Sequence, residues 1–509
     1  MKVKQLQLQN YGRFDDLTME FAPNGETKGN VTIIVGNNGA GKSQILQALA
    51  TGFSWFINGI KDESNGLDID EKLIKNNSSE AYIALDVIFG EEYDCRNHQG
   101  GLEISCWNIH KVRNGKIGNA NHYLNDIKQV IGNYRLAFTK NDNLSFPLIV
   151  FYTIQRSEMR QFINQNSPIK DQLKGYDYAL DYGLDFNAFF DWLKELEDIE
   201  NADIVNKIRK QKNDDYLVLL NNFKELNQLF EELNQQIKEE KDEEALELLR
   251  ESRADLIEQM YRVEKEISKG LQFKIDSMHS DDVNINAKTV RLAIELFTDF
   301  KNIRIERKGT PKMVVEKDGE KLDVNQLSQG EKSLLALVGD IARRLAILNP
   351  SLDNPLQGEG VVLIDEVDLH LHPKWQQNLI DKLTKTFPNV QFILTTHSPH
   401  IVSDNPDVLV YILDNGELRQ YNNAYGEDVN TLLNGVFGVS ERTPEIAEKF
   451  KMIGDYIGDY IGDYIGDKQL DNAKNLIDEL SQILPKNHTH LLRTQLTWAK
   501  AKLDQSKEV

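Results

Sequence analysis

Eight residues, Gly36–Ser43 (GNNGAGKS), constrain this chain more than any other stretch. They fit G-x-x-x-x-G-K-[ST], follow a β-branched run (Val31–Val35) and precede a helical apolar pattern (Ile45, Leu46, Leu49). That context demands a strand, a tight loop and a helix. Its glycines let successive backbone N–H groups curl around phosphates. Gly36, Asn37, Asn38, Gly39, Ala40 and Gly41 form the expected cradle. Lys42 is expected to reach the β- and γ-phosphates and Ser43 to hold Mg²⁺, so the sequence predicts ATP and Mg²⁺ as ligands.

Further along the chain lie the pieces such a loop requires. Val361–Glu366 (VVLIDE) reads as an apolar strand that delivers Asp365 to Mg²⁺ and places Glu366 as general base for the attacking water. An acidic pair after a strand means little alone; after a phosphate-binding loop it means a great deal. Leu327–Glu331 (LSQGE) resembles the ABC signature and sits at a predicted helix start, with Ser328 as cap and Glu331 closing a capping box. Ser328, Gln329 and Gly330 then form an anion site expected to meet the γ-phosphate of ATP held by a second copy. Asp368 looks like the aspartate that crosses between two such heads, and His397 in TTHSP looks like the switch histidine at the γ-phosphate. Gln155, ending FPLIVFYTIQ, is the candidate Mg²⁺-linked glutamine; Arg13, in QNYGRF, resembles the N-terminal arginine of SMC-like heads that reaches nucleotide phosphate.

The order of these motifs predicts the architecture. The phosphate loop is N-terminal and the remaining motifs are C-terminal, with a polar helical stretch between them. Leu219, Phe223, Leu226, Phe230, Leu233 and Ile237 step as a heptad seam; Leu249, Leu256, Met260, Val263 and Ile267 form another. Between them lies Lys238–Glu244, seven charged residues with no Gly or Pro. One long helix is the alternative, but a chain that must return to its head favours an antiparallel hairpin, with arms of roughly 40 Å. The expected fold is α/β: an ABC/SMC-like P-loop ATPase head with an inserted coiled-coil hairpin and a C-terminal helical region. The expected divisions are 1–187 (first lobe), 188–275 (helical insertion), 276–435 (second lobe) and 436–509 (C-terminal helices). Within the last, Ile453–Asp467 reads IGDYIGDYIGDYIGD, expected as a continuous packed helix although each interior glycine costs about 1 kcal/mol.

Charge narrows the partners. The net charge of −21 repels phosphate backbones, so the whole surface is no nucleic-acid glove. The local basic strip Lys301, Arg304, Arg307, Lys308, Lys312 reads first as solvated charge. Two cysteines, Cys95 and Cys106, fit a reducing cytoplasm, and no apolar run suits a membrane helix. His370 and His372 read as structural or interface residues rather than a metal pair, and Trp192 and Trp375 as core.

GNNGAGKS, FNAFFDWLKELEDIEN, LSQGE, VVLIDEVDLHLHPKWQ and TTHSPHIV together resemble the PtuA-like ATPases of bacterial Septu anti-phage systems and their retron-encoded relatives, over residues 1–435. That resemblance implies ATP hydrolysis and a homo-oligomer built through head-to-head contacts and the coil. It implies control of a separate HNH nuclease of the PtuB kind. In the retron setting it adds a reverse transcriptase and its RNA–DNA product, with nucleic acid engaged through the complex. About 110 residues follow His397, without a Toprim-like acidic cluster or an HNH grouping, so this chain is expected to cut nothing by itself. Two other functions stay open at this level: a DNA-repair or chromosome-maintenance SMC-like ATPase that clamps duplex directly, and a scaffold whose ATP site rarely turns over.

Overall fold

The computed structural model of the protein describes the chain outside residues 63, 91–103, 117–120, 155–171, 181–188, 201–213, 240–241, 278–284, 308, 404, 423, 436–442, 458–466, 486–487 and 506–509. Its centre is a six-stranded sheet in the order β13-β12-β3-β11-β10-β6. The five strands β12 (Val408–Asp414), β3 (Val31–Gly36), β11 (Val390–Thr395), β10 (Gly360–Ile364) and β6 (Leu148–Tyr152) run parallel, and β13 (Glu417–Gln420) closes one edge antiparallel. Every residue of β3, β6, β10 and β11 is buried, which explains their unbroken apolar runs: a parallel sheet is covered on both faces.

A second, antiparallel sheet has the order β2-β1-β4-β5, from β1 (Lys2–Tyr11), β2 (Phe14–Glu20), β4 (Glu80–Ile88) and β5 (Ser105–Val112). Helix α1 (Lys42–Asp62) packs against strands of both sheets, and apolar residues on nearly all its sides are buried. The buried Gln391 of β11 ties the sheets together: its amide accepts from Val3 N–H and donates to the carbonyls of Val3 and Ala22. α2 (Asn125–Lys140) covers α1 and β5. The two sheets, α1 and the helices behind share one apolar core running from Met1 to Leu432.

A helix over residues 189–200, α3, precedes the arm. The arm is α4 (Asp214–Glu239) and α5 (Glu243–Ser277), packed on each other. Gln236 and Glu239 share a groove with Ala245 and Leu248, while Leu226 and Leu229 share one with Gln259 and Val263, so the helices run antiparallel as a hairpin. Phe223, Leu226, Phe230, Leu233 and Ile237 are half-buried, as are Leu249, Leu256, Met260 and Val263; the side chains of Leu219 and Ile267 lie outside the described residues.

The chain re-enters through α6 (Ile285–Thr298), then a small sheet of β7 (Lys301–Glu306), β8 (Lys312–Lys317) and β9 (Glu320–Asp323), then α7 (Gln329–Leu348). α6 lies along α7. At the arm's root Glu197 of α3 is buried: it accepts from Ile305 N–H and pairs with Arg291 and Arg307 at 3.0 Å each. Two residues of the basic strip pair with carboxylates, Arg307 with Glu197 and Asp198 and Lys312 with Glu306; Arg304 donates to the Asn302 carbonyl, Lys301 is exposed, and Lys308 lies outside the described residues. Trp192 is buried and Trp375 packs half-buried against the core.

Short helices α8 (Pro373–Gln376), α9 (Leu379–Thr386), α10 (Pro399–Val402) and α11 (Val429–Gly435) complete this part. Beyond it, α12 (Pro444–Ile457), α13 (Asp467–Ile483) and α14 (Thr489–Gln505) enclose a separate apolar core containing Ile453, Ile457, Ile477 and Leu480. The first IGDY unit is therefore helical, with Ile453 and the next unit's Ile457 inward and Gly454 and Asp455 exposed; most of the remaining repeat, 458–466, lies outside the described residues. Among the described residues no helix is long and apolar enough to cross a membrane.

Candidate nucleotide site

The site lies at the carboxyl edge of the parallel sheet, where β3, β10 and β11 end side by side. After β3 the chain turns through Gly36–Gly41 into α1, leaving Asn37, Asn38, Gly39 and Ser43 exposed and Ala40 and Lys42 buried. Gly41 has a φ of +113°, and a Cβ there would lie 2.7 Å from the Phe14 ring, so only glycine fits the turn. The Lys42 ammonium donates to Gly36 O (2.7 Å) and Asn37 O (3.2 Å), and its Nζ stands 3.0 Å from His397 Nε2. An ammonium has three donors, and here all three are committed within the chain. Burial pulls the Lys42 pKa down, while the charges of Glu366, Asp365 and Asp368 work against it. Burial, then Lys42, lower the pKa of His397, which favours the neutral ring that can accept from Lys42.

β10 delivers the acidic residues. Asp365 is 3% exposed and its N–H extends the pairing with β6 by donating to Tyr152 O (2.9 Å). Thr395, at the end of β11, donates from Oγ1 to Asp365 Oδ1 (2.6 Å) and accepts from Glu366 N–H (2.7 Å). Glu366 has a φ of +47°, a left-handed conformation unfavourable for a side chain with a Cβ, and strain of that kind concentrates at functional sites. Asp368 accepts from Thr396 Oγ1 (2.6 Å) and His397 N–H (3.2 Å), so its carboxylate is bonded within its own chain.

Of the other predicted residues, Arg13 lies exposed beside the loop: its backbone N–H donates to Gln44 Oε1, and its guanidinium approaches to 3.4 Å of where a Gly39 Cβ would stand. Gln155 lies outside the described residues. Ser328 caps α7 in a capping box with Glu331, and Gly330 abuts the His370 carbonyl, which a Cβ would approach to 2.5 Å. Ser328 and Gln329 are exposed. Among the described residues, neither they nor Gly330 bond to the phosphate loop, and the N–H groups of Gln329 and Gly330 have no partner. His372 caps α8 through Nδ1 to Lys374 N–H, and no group of three His, Cys, Asp or Glu able to hold a metal occurs among the described residues.

Sequence reading missed Thr395, Thr396 and a buried network behind the site. Asp340 of α7 accepts from Tyr152 OH (2.9 Å), Arg343 and Arg344, and Arg344 donates to the carbonyls of Gly175 and Asp177. Burial alone would raise the Asp340 pKa; the two guanidinium charges outweigh it and hold the carboxyl far below its usual range.

Residues 1–402 match the AAA ATPase domain family, and the chain belongs to it. It is 34% identical to the retron Ec83 probable ATPase of Escherichia coli over 90% of this chain and 79% of that protein. It is 31% identical to the retron Vc95 probable ATPase of Vibrio cholerae serotype O1 biovar El Tor, over 82% of this chain and 74% of that one. A Septu protein PtuA from Bacillus mycoides (strain KBAB4) is 32% identical over 31% of this chain and 22% of its own length. The chain is an ATPase and binds nucleotide, as the members of this family do.

Proposed function

We propose that this ATPase is the nucleotide-driven switch of a bacterial anti-phage defence system of the Septu or retron kind, with ATP held between two copies. The observation that carries the reading is a division of labour. Lys42, Asp365, Glu366 and His397 converge at one sheet edge, bridged by Thr395, while Ser328 at the start of α7 is exposed and bonds to none of them. An open helix N-terminus with a serine hydroxyl is suited to an anion supplied by another molecule. Head-to-head pairing, with the lobes at 1–187 and 276–435, the arm at 188–275 and the C-terminal helices at 436–509, gives this division its purpose.

The Ser43 hydroxyl and the Asp365 carboxylate are hard oxygen donors of the kind Mg²⁺ prefers, and Gln155 is the proposed third. Mg²⁺ held there would draw charge from the β- and γ-phosphate oxygens. In the reaction, Lys42 gives up its carbonyl and His397 contacts to the phosphates, and the backbone amides of Gly36–Gly41 cradle them. Arg13 adds positive charge from outside the loop. Glu366 takes the proton of the attacking water, held in place by Thr395. His397, released from Lys42, reports the γ-phosphate, and Ser328, Gln329 and Gly330 of the second copy, with its Asp368, close the site. The output is movement of the arm and C-terminal helices that licenses an HNH nuclease of the PtuB kind, with the retron reverse transcriptase and its RNA–DNA product as further partners in that setting, in the cytoplasm. Direct clamping of duplex DNA is less well supported, because Arg307 and Lys312 of the basic strip face acidic partners.

Sedimentation of the full chain with and without Mg²⁺–ATP tests the reading. ATP is expected to drive self-association, and Ser328→Ala to weaken it about 10-fold, the worth of one charge-assisted hydrogen bond. Full turnover by a strictly monomeric species would refute it.

A further inference from the structure

We propose that Lys317 of β8 is a positioning residue for the signature serine: its bond to Glu331 sets the hydroxyl of Ser328 and cancels the charge of the carboxylate beside it. This inference rests on the reading that Ser328 meets a phosphate held by a second copy.

Lys317 Nζ lies 2.6 Å from Glu331 Oε1. The other oxygen, Oε2, accepts from Ser328 N–H (3.0 Å) and from Ser328 Oγ (2.8 Å). The serine's one hydroxyl proton lies on Glu331 here and must turn to a phosphate oxygen when one arrives, with the residue kept in place by the bond from Ser328 N–H to the same carboxylate; the reciprocal bond from Glu331 N–H to Oγ is long, at 3.4 Å. One carboxylate thus decides where the hydroxyl points, and Lys317 decides how the carboxylate sits. Glu331 is 9% exposed, and burial would raise its pKa; Lys317 and Ser328 reverse that and lower it, so the group stays anionic.

An anionic carboxylate in contact with the hydroxyl that meets a γ-phosphate is an electrostatic problem, because two like charges would share one serine. Lys317 solves it. With its ammonium on the far oxygen, the Lys317–Glu331 pair is neutral overall, and the helix N-terminus with the free N–H groups of Gln329 and Gly330 can keep its positive sign. Remove the ammonium and two things change: the carboxylate is free to turn away, and its full charge faces the incoming phosphate. Neighbouring Lys321 on β9 pairs with half-buried Glu306 and has no bond to Glu331 among the described residues, which makes it a matched control. Nothing in the sequence near LSQGE marks Lys317, which stands eleven residues upstream of Ser328 across a hairpin turn.

The test uses the full chain as Lys317→Met, Lys317→Arg, Lys321→Met and Ser328→Ala, with Mg²⁺–ATP as the probe. Three readouts are taken: nucleotide affinity at dilution, ATP-dependent self-association by sedimentation, and melting temperature. Lys317→Met should bind nucleotide as the parent chain does and lose about 10-fold in self-association, as expected for a lost charge-assisted bond. Lys317→Arg should recover most of that loss, and Lys321→Met should match the parent. The idea is overturned if Lys317→Met associates normally, or if its loss follows a lowered melting temperature that Lys317→Arg shares. If instead the parent chain does not associate with ATP, or Ser328→Ala leaves association untouched, the in-trans reading itself has failed.

Discussion

The two halves of the proposed nucleotide site are built differently. The half made by β3, β10 and β11 is cross-tied: Lys42 to His397, Asp365 through Thr395 to Glu366, and Asp368 to Thr396. The half at the tip of α7 is tied to its own carboxylate and to Lys317, and faces outward with the N–H groups of Gln329 and Gly330 unpartnered among the described residues. In the first half, His397 accepts from Lys42, the lysine that a phosphate would claim. The second, on the proposed reading, receives a phosphate held by another copy. What joins them is behind the site: Asp340, far along α7, bonds to Tyr152, whose carbonyl receives the N–H of Asp365. The tips share no hydrogen bond among the described residues and meet only where Gly330 abuts the His370 carbonyl, while the bodies are linked through buried Asp340.

The contrast can be broken or sharpened by substitution. The largest effect is expected from Glu366→Gln, which keeps the shape of the cross-tied half and removes its base. Turnover should fall about 10²–10⁴-fold while nucleotide binding and ATP-driven association persist; unchanged turnover in a coupled phosphate-release assay would transfer the base role elsewhere. Next comes Asp340→Ala, which takes the carboxylate from the buried guanidinium of Arg344 and the half-buried one of Arg343 and cuts the link between the halves. Urea unfolding should register about 3–5 kcal/mol of lost stability, and a smaller loss would mean that the arginines find other acceptors. The smallest effect concerns pH. The folded pKa of His397 lies below its ordinary value, so the unfolded chain binds more protons in that window. Its contribution to stability is present above the ordinary imidazole value and is lost as pH falls through the lowered one. Melting curves across mildly acidic pH should show that slope, and His397→Ala should flatten it.

The cross-tied half was the more legible in sequence. VTIIVG and VVLIDE announce buried parallel strands because both faces must be apolar, and the loop's glycines announce its turn. Arg13 stands out by its motif, and its guanidinium lies 3.4 Å from where a Gly39 Cβ would stand. Thr395 was invisible: a threonine at a strand end looks like any β-branched residue until the neighbouring strand brings Asp365 to it. Asp340 read as ordinary helix charge, since Tyr152 is 188 residues away. Glu197 was hidden in the same way, its arginines lying 94 and 110 residues on. Heptad spacing, by contrast, is local, and the arm's seam was read directly. The spacing of KEEKDEE left the turn open between hairpin and single helix, and only the packing of α4 on α5 closes that choice.

The root of that arm has a mechanical meaning. Above it, the shaft is two helices whose facing leucines are half wet, so opening a few turns at the far end costs little. At Glu197 both carboxylate oxygens are engaged by an amide and two guanidinium groups from the returning strand and helix. Glu197 thus locks α3 to α6 and β7, and α6 lies along α7, so a displacement of α3 is handed on to the helix that Ser328 caps.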